Sequence, residues 1–321
     1  MFKQIKLAKY KINIIAGERG LILPSYKGAT FRGSFGQVFR RLTCSVSKGK
    51  CSDCILKNQC AYSYIFETAP HPESQALRNY ESIPRPFLFE PPLETKRDYK
   101  PGEKLIFDLL LIGRAIQYLP FFIVTFKEMG TVGLGYGRRP FILEKIESTS
   151  IDGQEQVVYI GDSNTVNNVD FSYSGNDIIK RANYKAGTAI SKTKIEFLTP
   201  IRLKDKGQLV RKPVFYSLFR QAMRRISSLS YFHNGRSLEA DYAGLTKRSE
   251  NVCLIEDNTS WRDWERYSSR QGKRMNMGGL VGSVVYEGDI TDFIPWLLIG
   301  EEVHVGKNSV FGLGKYRMSV C

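Results

Sequence analysis

Histidine is the side chain best placed for proton transfer near neutral pH, and this chain of 321 residues has three: His71, His233 and His304. His304 stands out because it opens a glycine-rich run. That run, HVGKNSVFGLGKY from His304 to Tyr316, sets His304 and Lys307 on either side of Gly306, then adds Gly312, Gly314 and Lys315. Glycines let a backbone approach an anion closely and let successive N–H groups converge on it. With Lys307 and Lys315 to neutralise charge, the run reads as an anion-binding loop, and the alternative is a tight turn with a bulge and no ligand. His233 closes a helix-period segment in SYFHNG. There it is either a catalytic base or a cap, since a cation complements the helix C-terminus and Asn-Gly stops the helix. His71 lies between prolines in APHPE and reads as an exposed loop residue.

Charge narrows the partner. Lys and Arg total 47 against 32 Asp and Glu, a formal +15 with no basic tail to account for it. A polyanion is the expected partner. No segment approaches the ~20 apolar residues that cross a bilayer, so no membrane partner is expected. The N-terminus MFKQIKLAKYK lacks an apolar signal core, which points to the cytoplasm. Thiols there stay reduced. Cys44, Cys51, Cys54 and Cys60 form the pattern C-x(6)-C-x(2)-C-x(5)-C among turn-forming residues. That pattern predicts a structural four-thiolate site, with zinc the first choice and an iron-sulfur cluster the alternative. Cys253 and Cys321 stand alone and receive no role.

The elements that must carry these residues occur twice. KYKINII at 9–15 and KTKIEFL at 192–198 alternate as strands do. Each precedes a helix-period segment: Phe31, Phe35, Val38, Phe39 and Leu42 in the first, and Phe215, Leu218, Phe219, Ala222, Ile226 and Leu229 in the second. The polar faces agree as well, QVFRRL at 37–42 against QAMRRI at 221–226. Then come extended runs at 105–112 and 280–286, and segments YLPFFIVTF and FIPWLLIGEE with proline near a helix start. Both halves end on a glycine turn and a strand. The order β-α-β-β-α-β predicts an α+β chain of tandem ferredoxin-like (RRM-like) domains. The N-terminal domain spans 1–147 with a cysteine-rich insertion at 44–60, and the C-terminal domain spans 191–321. Residues 148–190, rich in Asn, Ser, Asp and Gly, read as an extended linker with one hairpin.

On these residues the chain resembles the RAMP-superfamily endoribonucleases that process CRISPR precursor RNA, the Cas6 family. The match lies in TFRGSFGQVFRRLTC at 30–44, the cysteine block to FET at 66–68, RPFLFEPP at 85–92 and GRAIQYLPFF at 113–122. It continues through GLGYGRRPF at 133–141, YFHNG at 231–235, WRDWERYSSRQGKRMNMGGLVG at 261–282 and GEEVHVGKNSVFGLGKYR at 300–317. The resemblance implies a metal-independent reaction. The 2′-OH of one nucleotide attacks the adjacent phosphorus and expels the 5′ oxygen, leaving a 2′,3′-cyclic phosphate and a 5′-OH. No cofactor is needed for that step, and the partner is CRISPR repeat RNA in its precursor transcript, with other Cas effector subunits beyond it. Such chemistry wants an in-line geometry, a base, an acid and cations around the phosphate.

His233, His304, Lys307 and Tyr267 are the catalytic candidates under this resemblance. Family members often carry a catalytic histidine in the first helix, and this chain departs there, with Arg32, Gln37, Arg40 and Arg41 but no histidine. RNA contacts are expected from Arg266, Arg270, Lys273 and Arg274 beside a base-stacking Tyr267. They are also expected from Arg40, Arg41, Arg224 and Arg225 on the helices, from Arg138 and Arg139 in GLGYGRR, and from Gly306, Gly312, Gly314 and Lys315. Two other readings compete. One is a non-cleaving RAMP subunit that binds the guide, and the other a general RNA-binding module. Neither first strand shows the glycine-aromatic spacing of an RNA-binding aromatic platform, which counts against the second.

Overall fold

The computed structural model describes residues 1–46, 49–68, 83–183, 189–205, 207–268 and 272–321. It divides into two compact units. The first comprises Ile5–Tyr173 with Ser228–Arg236, and the second Met1–Gln4, Ser174–Ser227 and Ser237–Cys321.

In the first unit, strand β1 (Lys6–Ala16) leads to helix α1 (Gly28–Thr43), then strands β2 (Phe87–Glu90) and β3 (Lys104–Ile112), helix α2 (Leu119–Val132) and strand β4 (Phe141–Thr149). Alternation along β1 sends Ile12 and Ile14 inward at 0% exposure. Ile12 lies opposite Phe107 of β3 on one side and Ile146 of β4 on the other, both antiparallel. The sheet runs β2-β3-β1-β4. Its core is aromatic: Phe35 of α1 packs 4.9 Å from Phe122 and 4.8 Å from Phe126 of α2, while Phe31 stacks 4.3 Å from Phe107. Leu42, the last member of the helix-period set, is exposed rather than buried. Pro120 sits in the first turn of α2, where its missing N–H leaves nothing unpaired.

The expected linker is more structured than its composition suggests. Strand β5 (Glu155–Ile160) pairs antiparallel with β4 and extends the first sheet, and strand β6 (Thr165–Val166) pairs with β5. Helix α3 (Gly175–Arg181) comes next, in the second unit, closed by a capping box between Ser174 and Asp177. Polar residues here mark an edge strand and a capped helix, both of which tolerate a solvated face.

The second unit repeats the plan. Strand β7 (Lys192–Ile201) leads to helix α4 (Phe215–Asn234), then strand β8 (Cys253–Arg262), a hairpin of β9 (Glu265–Ser268) and β10 (Lys273–Asn276), strand β11 (Gly279–Glu287), helix α5 (Ile294–Val303) and strand β12 (Tyr316–Val320). The main sheet runs β8-β11-β7-β12. Taking the four repeat strands in chain order, both sheets read second, third, first, fourth. That is the ferredoxin-like arrangement in an α+β chain. Ile195 of β7 lies opposite Val284 and Met318, and Phe219 of α4 packs 4.6 Å from Phe293 and 6.3 Å from Trp296. Among the described residues no helix is long and apolar enough to cross a membrane.

Candidate nucleic-acid interface

The C-terminal glycine loop lies between α5 and β12. His304 ends α5 with φ 57°, a left-handed value that turns the chain out of the helix. The loop then folds back on itself. The Val305 N–H donates to the Gly314 carbonyl at 3.0 Å, and the buried Thr199 hydroxyl donates to the Gly312 carbonyl while accepting from the Lys315 N–H, each at 2.9 Å. Gly314, at φ 76°, would place a Cβ 1.9 Å from the Val305 oxygen, so only glycine fits.

Most of the loop's N–H groups are already used. The N–H groups of Lys307, Phe311, Gly312, Gly314 and Lys315 all donate to acceptors within the protein, and Gly312 and Gly314 are buried. Gly312 and Gly314 thus shape the loop, while Gly306 is half-buried beside exposed Lys307. Lys315 is half-buried, with its main chain tied to β7.

Lys307 is different. It is exposed, and its N–H donates to the Arg202 carbonyl at 3.0 Å. Partial desolvation lowers its pKa, and the nearby Lys204, Arg224 and Arg202 lower it further. Four cations therefore share one patch of the second unit. Arg202 is itself held, donating to the carbonyls of Asn276 and Gly278 at 2.8 Å. Arg224 is exposed, as expected for a contact residue, whereas Arg225 turns its Nε–H to the Val303 carbonyl at 2.8 Å. Desolvation lowers the Arg225 pKa to about 10. Arg225 thus spends its Nε–H on the C-terminal end of α5. Lys204 and Arg202 were not singled out in the sequence, although the stretch IRLKDK that carries them is visibly basic.

Both described histidines are buried, His304 at 0% and His233 at 3% exposure. His304 faces the Leu313 carbonyl through Nδ1 at 3.2 Å, which requires that Nδ1 carry the proton. His233 belongs to the first unit. Its Nε2–H donates to the Pro84 carbonyl at 2.7 Å, and its Nδ1 faces the Tyr64 hydroxyl at 3.2 Å. In these positions each imidazole holds a main-chain carbonyl, His233 through Nε2 and His304 through Nδ1. Desolvation raises the Tyr64 pKa to about 12, so its phenol stays protonated and serves as the donor to Nδ1.

The remaining expectations divide. Arg40 is exposed and sits 5.5 Å from the centroid of the Tyr62 ring, and Arg41 is exposed but paired with Glu128. Arg138 is exposed at φ 44°, and Arg139 donates to the Arg19 carbonyl. In the β9–β10 hairpin, Tyr267 pairs in register with Arg274, and Arg266 with Met275. The side chains of Arg266, Tyr267, Lys273 and Arg274, and Arg270 and His71 altogether, lie outside the described residues. Beside the hairpin, Arg211 lies 3.8 Å from the centroid of the Trp261 ring, a stacked cation that the sequence did not single out.

Cys44 and Cys60 lie close enough to Cys51 to act on its thiol electrostatically. Among the described residues no group of three or more His, Cys, Asp and Glu side chains could hold a metal ion. Cys44 leaves α1 in extended conformation with its thiol toward the Val46 carbonyl, Cys51 opens a 3-10 turn, and Cys60 stands at the start of the short helix Ala61–Phe66. Burial first, and then Glu67, push the Cys51 thiol above its usual pKa.

Two family models cover most of this architecture. Residues 5–171, just over half the chain, match the AF_1859_N model, an N-terminal domain, and residues 195–316 match the model described as CRISPR-associated endoribonuclease Cas6. Residues 195–316 belong to the Cas6 family. An uncharacterized protein of Archaeoglobus fulgidus is 27% identical over 301 residues, covering 92% of each chain. Among solved structures, a Cas6 product complex superposes with TM-score 0.56 at 13% identity, covering 98% of this chain and 99% of that one. Thermus thermophilus Cas6 gives 0.51 at 11%, with the same coverage. A partial Cas6-RT-Cas1–Cas2 complex gives 0.59 at 13%, covering 99% of this chain, which spans 46% of the other. At these identities the structural likeness speaks to the fold. In Cas6 terms, the cation patch around Lys307 falls inside the segment that matches the family model.

Proposed function

We propose that this chain cuts CRISPR repeat RNA within its precursor transcript to release guide RNAs. The bond from the 2′ oxygen to phosphorus forms, the bond from phosphorus to the 5′ oxygen breaks, the 2′ proton passes to a base, and the leaving oxygen takes up a proton. The products are a 2′,3′-cyclic phosphate and a 5′-OH, and no metal enters the step. One observation carries the reading: exposed Lys307, crowded by Lys204, Arg224 and Arg202, stands on the glycine loop of the Cas6-matching segment. Such a patch draws phosphate and neutralises charge building on it. Crowding also brings Lys307 closer to the range in which an ammonium can give up a proton. Tyr267 is the second group assigned to proton transfer.

A second reading has its own support. The first helix has no histidine, and both described histidines are buried in hydrogen bonds. Those facts favour a chain that binds repeat RNA without cutting it. Incubation with end-labelled repeat RNA in EDTA separates the two. A single cut with a cyclic phosphate end is expected, whereas tight, salt-sensitive binding with intact RNA would establish the non-cleaving subunit.

A further inference from the structure

The first unit has a groove of about 790 Å³ far in sequence from Lys307, between α1 and the N-terminal glycine loop. Thr30, Ser34, Gln37 and Arg41 line one wall, Arg97 contributes from the segment before β3, and Tyr136 and Arg138 come from the loop. No carboxylate is among the lining residues, although Arg41 is paired with Glu128 outside them.

The loop is a rigid mount. Leu134 is fully buried and bridges Arg139, and the Tyr136 N–H donates to the Ile22 carbonyl at 2.9 Å. A Cβ on Gly135 would lie 2.2 Å from that same carbonyl, and one on Gly133 2.3 Å from the Arg138 carbonyl. The backbone is held on both sides, yet Tyr136 is 76% exposed. An aromatic ring anchored by its main chain and left in water costs little further entropy when a flat group stacks on it. Guanidinium groups and hydroxyls beside it suit phosphate and sugar.

We infer that this groove holds a single-stranded stretch of RNA, with one base on Tyr136 and the adjoining phosphates at Arg138 and Arg97. The inference rests on the proposed binding of repeat RNA but not on its cleavage. Sequence tolerance is expected, because every base has a face to stack.

The test uses full-length protein and repeat RNA carrying a 2′-deoxy sugar at the scissile position, so that binding is read without cutting. Tyr136→Ala is expected to weaken binding about tenfold. Tyr136→Phe should restore it, and Arg138→Ala should lower the salt dependence. Photo-cross-linking of 4-thiouridine RNA should mark the peptide containing Tyr136. Wild-type affinity in the Tyr136→Ala, Arg138→Ala double variant would overturn the inference, as would equal losses in the Ala and Phe variants. So would cross-linking of the groove to a protein partner instead of RNA. If Tyr136 governs binding but unmodified RNA stays intact, this site stands and the cleavage reading falls. If the wild-type chain binds no RNA, both fall.

Discussion

The Nε2–H of His233 donates to the carbonyl oxygen of Pro84 at 2.7 Å, with the ring 3% exposed. A residue of a type suited to proton transfer is spent on holding a distant loop. His233→Ala leaves that carbonyl and the Tyr64 hydroxyl without their partner. A loss of about 1–3 kcal/mol in stability is expected, read as a lower denaturant midpoint. Product ends from the folded fraction should be unchanged, and loss of cleavage at full stability would return His233 to the chemistry.

Lys307 gives the pH prediction. Its pKa is lowered, by desolvation first and by Lys204, Arg224 and Arg202 next. The ammonium is therefore present at low pH and is lost on raising pH sooner than an ordinary lysine, whose pKa is about 10.4. RNA affinity should weaken on the alkaline side before general lysine titration sets in. Lys307→Arg should extend the plateau upward, and Lys307→Ala should remove the step and reduce the salt slope by about one. Anisotropy titrations across pH and salt give both readouts.

Two glycines make a contrasting pair. Gly314 has φ 76° and a Cβ position 1.9 Å from the Val305 oxygen, whereas a Cβ on Gly33, within α1, meets nothing within 4 Å. Gly314→Ala should break the turn that carries Lys307 and weaken RNA binding. Gly33→Ala should raise stability by about 0.5–1 kcal/mol. Thermal melts with binding on the same samples test both.

Metal removal addresses the cysteines. No metal-holding group forms among the described residues, so prolonged chelation should move the melting temperature by less than about 2 °C. A large drop, abolished by Cys51→Ser, would show that the four thiolates close on an ion and that folding depends on it.

Much of the fold was legible because periodicity reports burial. The two strand and helix sets, the prolines opening α2 and α5, and the repeat order all stem from which residues must leave water. The segment read as a linker holds the hairpin β5–β6 and helix α3, because polar composition is shared by loops and by edge strands such as β6. The site was harder. Residue type identifies what a side chain can do, but only packing decides whether it faces solvent. His304 and Lys307 are three positions apart, one buried beneath the loop and the other exposed on it. Arg224 and Arg225 are adjacent, yet one is exposed and the other is bound to Val303. Lys204 escaped notice because its value lies in Lys307 and Arg224, which folding brings to one patch with it.

The placement of Ser228–Arg236 in the first unit has a consequence for synthesis. The segment that supplies His233 to Pro84 and the side-chain oxygen of Asn234 to the Lys6 N–H is translated long after the rest of that unit. While the ribosome is still at Tyr173, the N-terminal half is missing a piece of its own interior. Cutting the gene between the two repeats would not yield two self-sufficient products. The same strand order appears in both units, but the units are not separable in the order in which they are made.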